Sequence, residues 1–252
     1  MKLSQSELRS YRGNKIALIF QEPGRSFDPL QNIGKVFWET FRVTEPEITK
    51  EDADKKTVAL LTEVGLPDPE GRLKAYPHQF SGGQLQRIGI ALALAQNCQL
   101  LIADEPTTAL DVTIQAQIVS LLLRLKEERG LSIIFISHNI NLVAQISDRI
   151  AVMYGGQIME SGEAQQILKN PHHPYTQALV QAMPEFGSHY TKEKMISIPG
   201  RVTDPSSPEK GCPFAPRCSF AKSDCKENNY VCWKMKETSS DVQDTSSSGE
   251  TL

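Results

Sequence analysis

The sequence lacks a long apolar run, a strong charge bias, an apolar leader and a phosphate-binding loop, and each absence bears on what the chain can be. Its longest apolar stretches, such as Ile88 to Ala95 with Gly89 inside it, fall far short of the roughly 18–20 residues that span a bilayer. Met1-Lys2-Leu3-Ser4-Gln5 opens into polar sequence, so no secretory signal is expected and the chain is expected to stay in the cytoplasm. A net charge of -3 and the absence of any long Lys/Arg run give no reason to expect nucleic acid as a partner. No internal repeat is evident. No G-x-x-x-x-G-K-[ST] segment occurs: in the one Gly-Lys pair, Gly34-Lys35, Pro29 stands where the first glycine would be and Val36 where the hydroxyl would be.

What is present is ordinary for a soluble globular protein. The 252 residues are 39% hydrophobic and 23% charged, enough for one substantial core with an appendage or for two small domains. Five cysteines are unevenly placed. Cys98 is isolated and reads as a small buried thiol. Cys212, Cys218, Cys225 and Cys232 crowd towards the C-terminus, where a reducing cytosol favours metal over disulfides. Their C-x5-C, C-x6-C and C-x6-C gaps are wider than the C-x2–4-C of zinc ribbons. Thiolates suit zinc or iron–sulfur, and four unligated thiols are the plain alternative.

Periodicity changes along the chain. Lys15–Phe20 reads as a buried strand ended by Gln21-Glu22-Pro23-Gly24. Residues 31–43 and 50–65 read as helices, the second stopped by Gly65 and Pro67. Strand 99–103, helix 112–128, strand 133–136 and helix 139–146 then alternate, which argues for a parallel sheet covered by helices. Segments 149–154 and 157–160, split by Gly155-Gly156, read as a closing hairpin. After about residue 170 prolines and short polar stretches replace the periodic pattern, and the Ser/Thr-rich tail from Glu237 to Leu252 is expected to be disordered.

Several residues fall where chemistry would want them. Leu100–Ala103 delivers Asp104 and Glu105 at a strand end, where one carboxylate can hold Mg²⁺ and its neighbour can act as general base on a water; an acidic turn after a core strand is the bland reading. Ser81 is a good N-cap, and Gly82-Gly83 would let a phosphate approach the first-turn N–H groups, although any helix start could carry Ser-Gly. His138 leaves the next strand, and Gln21 ends the first.

The order Gln21, Phe80-Ser-Gly-Gly-Gln-Leu-Gln-Arg87, Leu100-Leu-Ile-Ala-Asp-Glu-Pro106, Asp111 and His138 resembles that of ABC-type ATPases. Ser81, Gly82, Gly83 and Gln84 match the signature, with Phe80 in place of the usual leucine. Asp104-Glu105 matches the Walker B strand, Pro106–Asp111 the loop that reaches across the dimer, Gln21 the Q-loop and His138 the γ-phosphate sensor. The implied fold is α/β, a partial P-loop NTPase with a helical subdomain and an irregular C-terminal extension. The implied cofactors are ATP and Mg²⁺: Asp104 holds the metal, Glu105 and His138 are catalytic, and Gln21, Ser81, Gly82, Gly83, Gln84, Asp104 and Asp111 bind the nucleotide. The organisation on this reading is a strand and Q-loop in 1–30, the helical subdomain in 31–80, the α/β core in 81–170, an extension in 171–236 and a tail in 237–252.

Phe20-Gln-Glu-Pro23, Tyr76-Pro-His-Gln79, Asp111–Gln117, Pro171–Gln177, Ile198-Pro-Gly200 and Gly211–Cys218 are similar to the oligopeptide/dipeptide importer branch, nickel and antimicrobial-peptide uptake relatives sharing much of the pattern. The resemblance implies ATP hydrolysis coupled to uptake of di- or oligopeptides. It also implies a second ATPase subunit in a heterodimer, two permeases, a periplasmic or extracellular peptide-binding protein, and a peripheral place on the cytoplasmic face of the membrane. In the extension, Cys212, Cys218, Cys225 and Cys232 would hold a [4Fe–4S] cluster. Family members begin with further strands and the phosphate loop, which would lie before Met1, so the sequence reads as N-terminally truncated and inactive alone. A non-catalytic regulatory remnant is the alternative. Because each ATP in such dimers sits between one subunit's phosphate loop and the other's signature, Ser81-Gly82-Gly83 would still serve ATP held by an intact partner. The first strand is expected to leave an apolar sheet edge exposed.

Overall fold

The structure is a computed structural model that describes residues 3–108, 110–182, 198–200, 211–223 and 225. It divides into two compact units, Met1–Ile146 and Ser147–Leu252.

The first unit opens with α1 (Gln5–Tyr11), β1 (Ile16–Ile19) and the short α2 (Pro23–Ser26). Three helices follow: α3 (Ile33–Thr44), α4 (Lys50–Glu63) and α5 (Pro69–Arg72). Asn32 caps α3 and Thr49 caps α4, each side chain accepting a first-turn N–H. Gly34 of the sequence's one Gly-Lys pair lies buried in α3, its N–H donating to the Leu73 carbonyl at 2.8 Å. It is a packing glycine, since an added Cβ would come within 3.1 Å of that same oxygen.

Next come α6 (Gly82–Ala95), β2 (Leu100–Asp104), α7 (Val112–Arg129), β3 (Ser132–Ile136) and α8 (Ile140–Ile146). The three strands form a parallel sheet in the order β1-β2-β3, as the alternation of strands and helices requires. Gly130, in the left-handed region at φ 63°, ends α7 by donating its N–H to the Lys126 carbonyl.

One face of the sheet carries the core. Ala17, Ile19, Leu101 and Ala103 are buried with Ile88, Ile90 and Leu94 of α6 and Ile118, Leu122 and Leu125 of α7. The other face is different. In register, Leu18 pairs with Ile102 and Ile102 with Ile134, and Leu18, Phe20, Ile134 and Ile136 are all exposed. The first strand is therefore half-buried and not wholly buried as its apolar run suggests: side chains alternate across a strand, and helices cover only one side. β1 is an edge strand among the described residues, as expected from the sequence, and the exposed apolar surface extends beyond that edge over one sheet face.

Arginines tie the helices together. Arg87 of α6 donates to the Val64 carbonyl at 2.5 Å and to Gln117 of α7 at 2.9 Å. Arg124 of α7 donates to the Glu63 carbonyl at 2.6 Å, and Arg129 grips both Glu63 carboxylate oxygens. The orphan carbonyls at the end of α4 thus find side-chain donors from its neighbours.

In the second unit, β4 (Arg149–Tyr154) and β5 (Gln157–Glu163) pair antiparallel around Gly155-Gly156, both at positive φ, as a tight two-residue hairpin turn requires. Helices α9 (Ala164–Lys169) and α10 (Pro174–Gln181) follow. The second departs from the irregular sequence expected there. Pro174 at the first helical position and the His173 ring accepting the Tyr175 N–H start it, and seven further residues are too few for a readable stripe. Buried Glu160 of β5 accepts the N–H groups of His172 and His173 at 2.9 and 3.0 Å, fixing the turn before α10. Tyr154, Tyr175 and Phe214 pack edge to face or tilted, and Arg217 donates to the Ile198 and Pro199 carbonyls at 2.7 and 2.8 Å.

The helical packing sets a stability test. Leu61 of α4 is fully buried, whereas Leu30 is 85% exposed. Leu61→Ala is expected to lower unfolding free energy by about 2–5 kcal/mol, and Leu30→Ala to change it by less than ~0.5 kcal/mol, measured by urea unfolding followed through the helical signal. Equal midpoints for the two variants would contradict the core described here.

Candidate functional site

The carboxylate of Glu105 is the centre of the site. Glu105 is the first residue beyond β2, and its backbone sits in the left-handed region at φ 43°. A residue with a side chain is rarely held there, and such strain costs about 1–3 kcal/mol unless the surroundings impose it. Here its N–H donates to the Ile136 carbonyl at the end of β3 (2.9 Å), and its carbonyl accepts the Thr108 N–H (3.1 Å). The twist turns the Glu105 side chain away from the strand path that Asp104 completes.

Three side chains meet that carboxylate. Gln21 Nε2 and Thr108 Oγ1 both donate to Oε2 at 2.8 Å, and His138 Nδ1 lies 3.1 Å from Oε1. An ionised carboxylate only accepts, so the Nδ1 facing it carries the proton. These contacts hold the Glu105 carboxyl below the usual carboxylate range: hydrogen bonding from His138 is the largest cause, that from Thr108 next, with partial burial opposing. The carboxylate is 23% exposed and His138 is 74% exposed, so the cluster lies open to solvent at the C-terminal ends of the strands, where open α/β sheets bind ligands.

Asp104, the last residue of β2, pairs in register with Ile136, and its carboxylate takes no partner among the described residues. A hard, unpartnered oxygen donor beside the Glu105 cluster suits Mg²⁺, with phosphate oxygens and waters completing the shell.

The helix start at Ser81 is built separately. The Ser81 hydroxyl accepts the Gln84 N–H at 3.3 Å and the Gln84 side chain accepts the Ser81 N–H at 3.0 Å, a reciprocal capping box. Of the first-turn donors, those of Gly82 and Gly83 remain for a ligand. Gly83 is also forced by packing: a Cβ there would fall 2.8 Å from Ile114 Cγ2, whereas one on Gly82 meets nothing nearer than Leu110 Cδ2 at 3.7 Å. Asp111 caps α7, accepting the Ile114 N–H at 2.9 Å. Gln21, Glu105 and His138 are thus brought together, Ser81 with Gln84 forms a second locus beside the start of α7, and no hydrogen bond or ion pair among the described residues joins the two loci.

Thr108 was not singled out in the sequence as a site residue. Its signal was present: a hydroxyl three residues after an acid, on a turn led by Pro106, can reach back to that acid. In the second unit, Cys212, Cys218 and Cys225 share one apolar cluster, and the Cys212 N–H donates to the Cys225 carbonyl at 2.8 Å. Burial first, with the neighbouring Cys212 and Cys225, pushes the Cys218 thiol up. No group of three or more side chains among the described residues is placed to hold a metal ion, and Cys232 lies outside those residues.

A parallel sheet with a carboxylate pair at one strand end, an imidazole at the next and a capped diglycine helix start defines an ABC-type ATPase cassette. The comparisons agree. The ABC transporter family profile matches residues 2–108. The dimeric cassette MJ0796 bound to ADP and Pi superposes with a TM-score of 0.57 at 29% identity, over 64% of this chain and 68% of that one. A second dimeric structure of MJ0796, described as a bacterial ABC transporter cassette, gives 0.54 at 30% identity over the same shares.

Within that class the chain belongs to the oligopeptide/dipeptide ABC transporter ATP-binding proteins. The profile for the oligopeptide/dipeptide transporter C-terminal region matches residues 159–225. The oligopeptide transport ATP-binding protein OppD of Bacillus subtilis (strain 168) is 47% identical over 94% of this chain and 65% of its own length. The dipeptide transport ATP-binding protein DppD of Escherichia coli (strain K12) is 44% identical over 89% and 68%. The chain thus spans about two thirds of the length of these relatives. The family implies use of ATP and Mg²⁺. No helix among the described residues is long and apolar enough to cross a membrane.

Two tests follow from this geometry. Glu105's depressed ionisation stabilises the fold above the ordinary carboxylate range and is lost as pH falls through its lowered value, because the unfolded state then binds the extra proton. Glu105→Gln is therefore expected to flatten the limb along which unfolding free energy falls as pH drops through and below the ordinary carboxylate range; an unchanged limb would contradict the cluster. Gly83→Ala is expected to cost about 1–3 kcal/mol by overpacking against Ile114, while Gly82→Ala leaves thermal unfolding unchanged or raised. Equal losses would contradict the packing of α6 on α7.

Proposed function

We propose that the chain is part of the ATPase subunit of a di- or oligopeptide importer, working at the cytoplasmic face of the membrane as a peripheral protein. The observation that carries this reading is the convergence of Gln21, Glu105 and His138 where the sheet delivers its strand ends. With ATP and Mg²⁺ bound, Glu105 would act as general base, His138 would align it and face the γ-phosphate, and Asp104 with Gln21 would hold Mg²⁺ and orient the water. Bound ATP and Mg²⁺ supply the phosphoryl group and the charge neutralisation for hydrolysis. Peptide as the substrate is read from the relatives' names; a second ATPase subunit, two permeases and a periplasmic or extracellular peptide-binding protein are the partners that the family resemblance implies.

The separation of the two loci supports a division of labour across a heterodimer. The Glu105 locus attends one nucleotide, and Ser81, Gly82, Gly83 and Gln84, with Asp111 nearby, complete the partner's. These 252 residues hold no phosphate loop, whose backbone N–H groups and Lys would cradle the phosphates of ATP. The chain alone is therefore expected to bind ATP more weakly than about 1 mM by calorimetry. Added to a peptide-importer ATPase subunit that carries the loop, it is expected to raise that subunit's ATP hydrolysis, and a Ser81→Arg variant to abolish the gain. Micromolar ATP binding by the chain alone, or no stimulation, would overturn this reading.

In the extension we read Cys212, Cys218, Cys225 and Cys232 as ligands of a [4Fe–4S] cluster. Support comes from the soft donor set and from the shared packing of three of these thiols. The three form no ligand group by themselves, so no chemical step is drawn through a cluster. Four irons and four sulfides per chain are expected in anaerobically purified protein; stoichiometric zinc alone would overturn the assignment.

A further inference from the structure

Glu105 has one partner that the proposed mechanism leaves without a task. Thr108 lies three residues on, in the same turn, partly buried, and its hydroxyl donates to Oε2 at 2.8 Å while its N–H holds the Glu105 carbonyl at 3.1 Å. The two oxygens of Glu105 are treated unequally. Oε2 accepts Thr108 and Gln21, and Oε1 faces His138. Gln21 reaches from a loop 84 residues away and is exposed, so its hold depends on where that loop stands. Thr108 is held by the turn itself and stays with Glu105 wherever the Gln21 loop goes.

We propose that Thr108 is a positioning residue: its hydroxyl pins Oε2 so that Oε1 stays aimed at His138 and at a water on the nucleotide side. The inference rests on the reading of Glu105 as general base. Without the pin, the carboxylate is free to rotate about a terminal torsion that has broad wells, and its base geometry is populated for only part of the time. A misplaced base costs rate and leaves nucleotide affinity alone, because Thr108 itself touches no ligand in this scheme. A role confined to packing would instead follow side-chain volume, whichever atom sits at the end.

Three variants separate these roles. Thr108→Val keeps the volume and removes the hydroxyl, Thr108→Ser keeps the hydroxyl and removes a methyl, and Thr108→Ala removes both. The first readout needs no activity: a double-mutant cycle of Thr108→Val with Glu105→Ala, read by urea unfolding of the full chain. A hydroxyl that holds the carboxylate couples to it, so the double variant is expected to shift the unfolding midpoint by less than the sum of the single shifts, and Thr108→Ser alone to leave the midpoint near that of the parent. The second readout is ATP hydrolysis by an assembled importer in which these residues are joined to a phosphate loop, since the 252 residues hold none. Here kcat is expected to fall roughly tenfold in Thr108→Val, with KM for ATP within twofold and near-full activity in Thr108→Ser. Additive midpoint shifts for Thr108→Val and Glu105→Ala, or a Thr108→Ser variant as impaired in kcat as Thr108→Val, would overturn the proposal. Non-additive shifts with unaltered kcat in Thr108→Val would leave the contact standing and overturn its positioning role, whereas full kcat in Glu105→Gln would overturn the reading of Glu105 as general base.

Discussion

The site depends on one constraint: a glutamate held in a left-handed backbone conformation at the end of the central strand. β2 lies between β1 and β3, so the residue leaving it can be reached from both neighbouring strand exits. Gln21 comes from beyond β1 and His138 from beyond β3. The positive φ of Glu105 directs the carboxylate into that space, and the Ile136 carbonyl on its N–H imposes the twist. Asp104 remains in register with β3, free for a cation. Two adjacent acids thus acquire different surroundings from backbone geometry, one strand-bound without a partner among the described residues, the other turned aside and held by three side chains.

The rest of the first unit serves this arrangement. Helices α6 and α7 bury one face of the sheet, and the contact of Gly83 with Ile114 sets the start of one against the start of the other. The capped diglycine turn is therefore positioned by the same helices that fix β2 and β3. Arg87, the last residue of the run Phe80–Arg87, donates to the Val64 carbonyl at the end of α4, so the helical segment is tethered to α6 by a charged group satisfying an orphan carbonyl. The uncovered face of Leu18, Ile134 and Ile136 is the exception, apolar yet facing solvent.

Much of this was legible in the sequence because the signals were local. The strand–helix alternation, the Ser81 cap, the Gly130 stop and the Gly155-Gly156 turn each rest on short-range chemistry, and the elements begin and end within a few residues of where that chemistry places them. The family and α/β fold followed from motif order. What escaped was set by tertiary context. The one-sided burial of β1 depends on which face the helices cover, and no apolar run reveals that. Helix α10 is started by a proline and a histidine ring and anchored by distant Glu160, and it is too short for periodicity to show. Thr108 is half-legible: a hydroxyl three residues after an acid is visible in the sequence, but its hold on the carboxylate depends on the backbone twist of Glu105, which composition does not report.

The most direct test of the central claim is a double-mutant cycle between Gln21→Ala and Glu105→Ala, read by urea unfolding at neutral pH. The two positions are far apart in sequence and meet only if β1 and β2 lie side by side with their exits converging. A coupling of about 0.5 kcal/mol or more is predicted for residues in contact. Additivity to within ~0.3 kcal/mol would show that the two side chains do not share a site and would contradict the account.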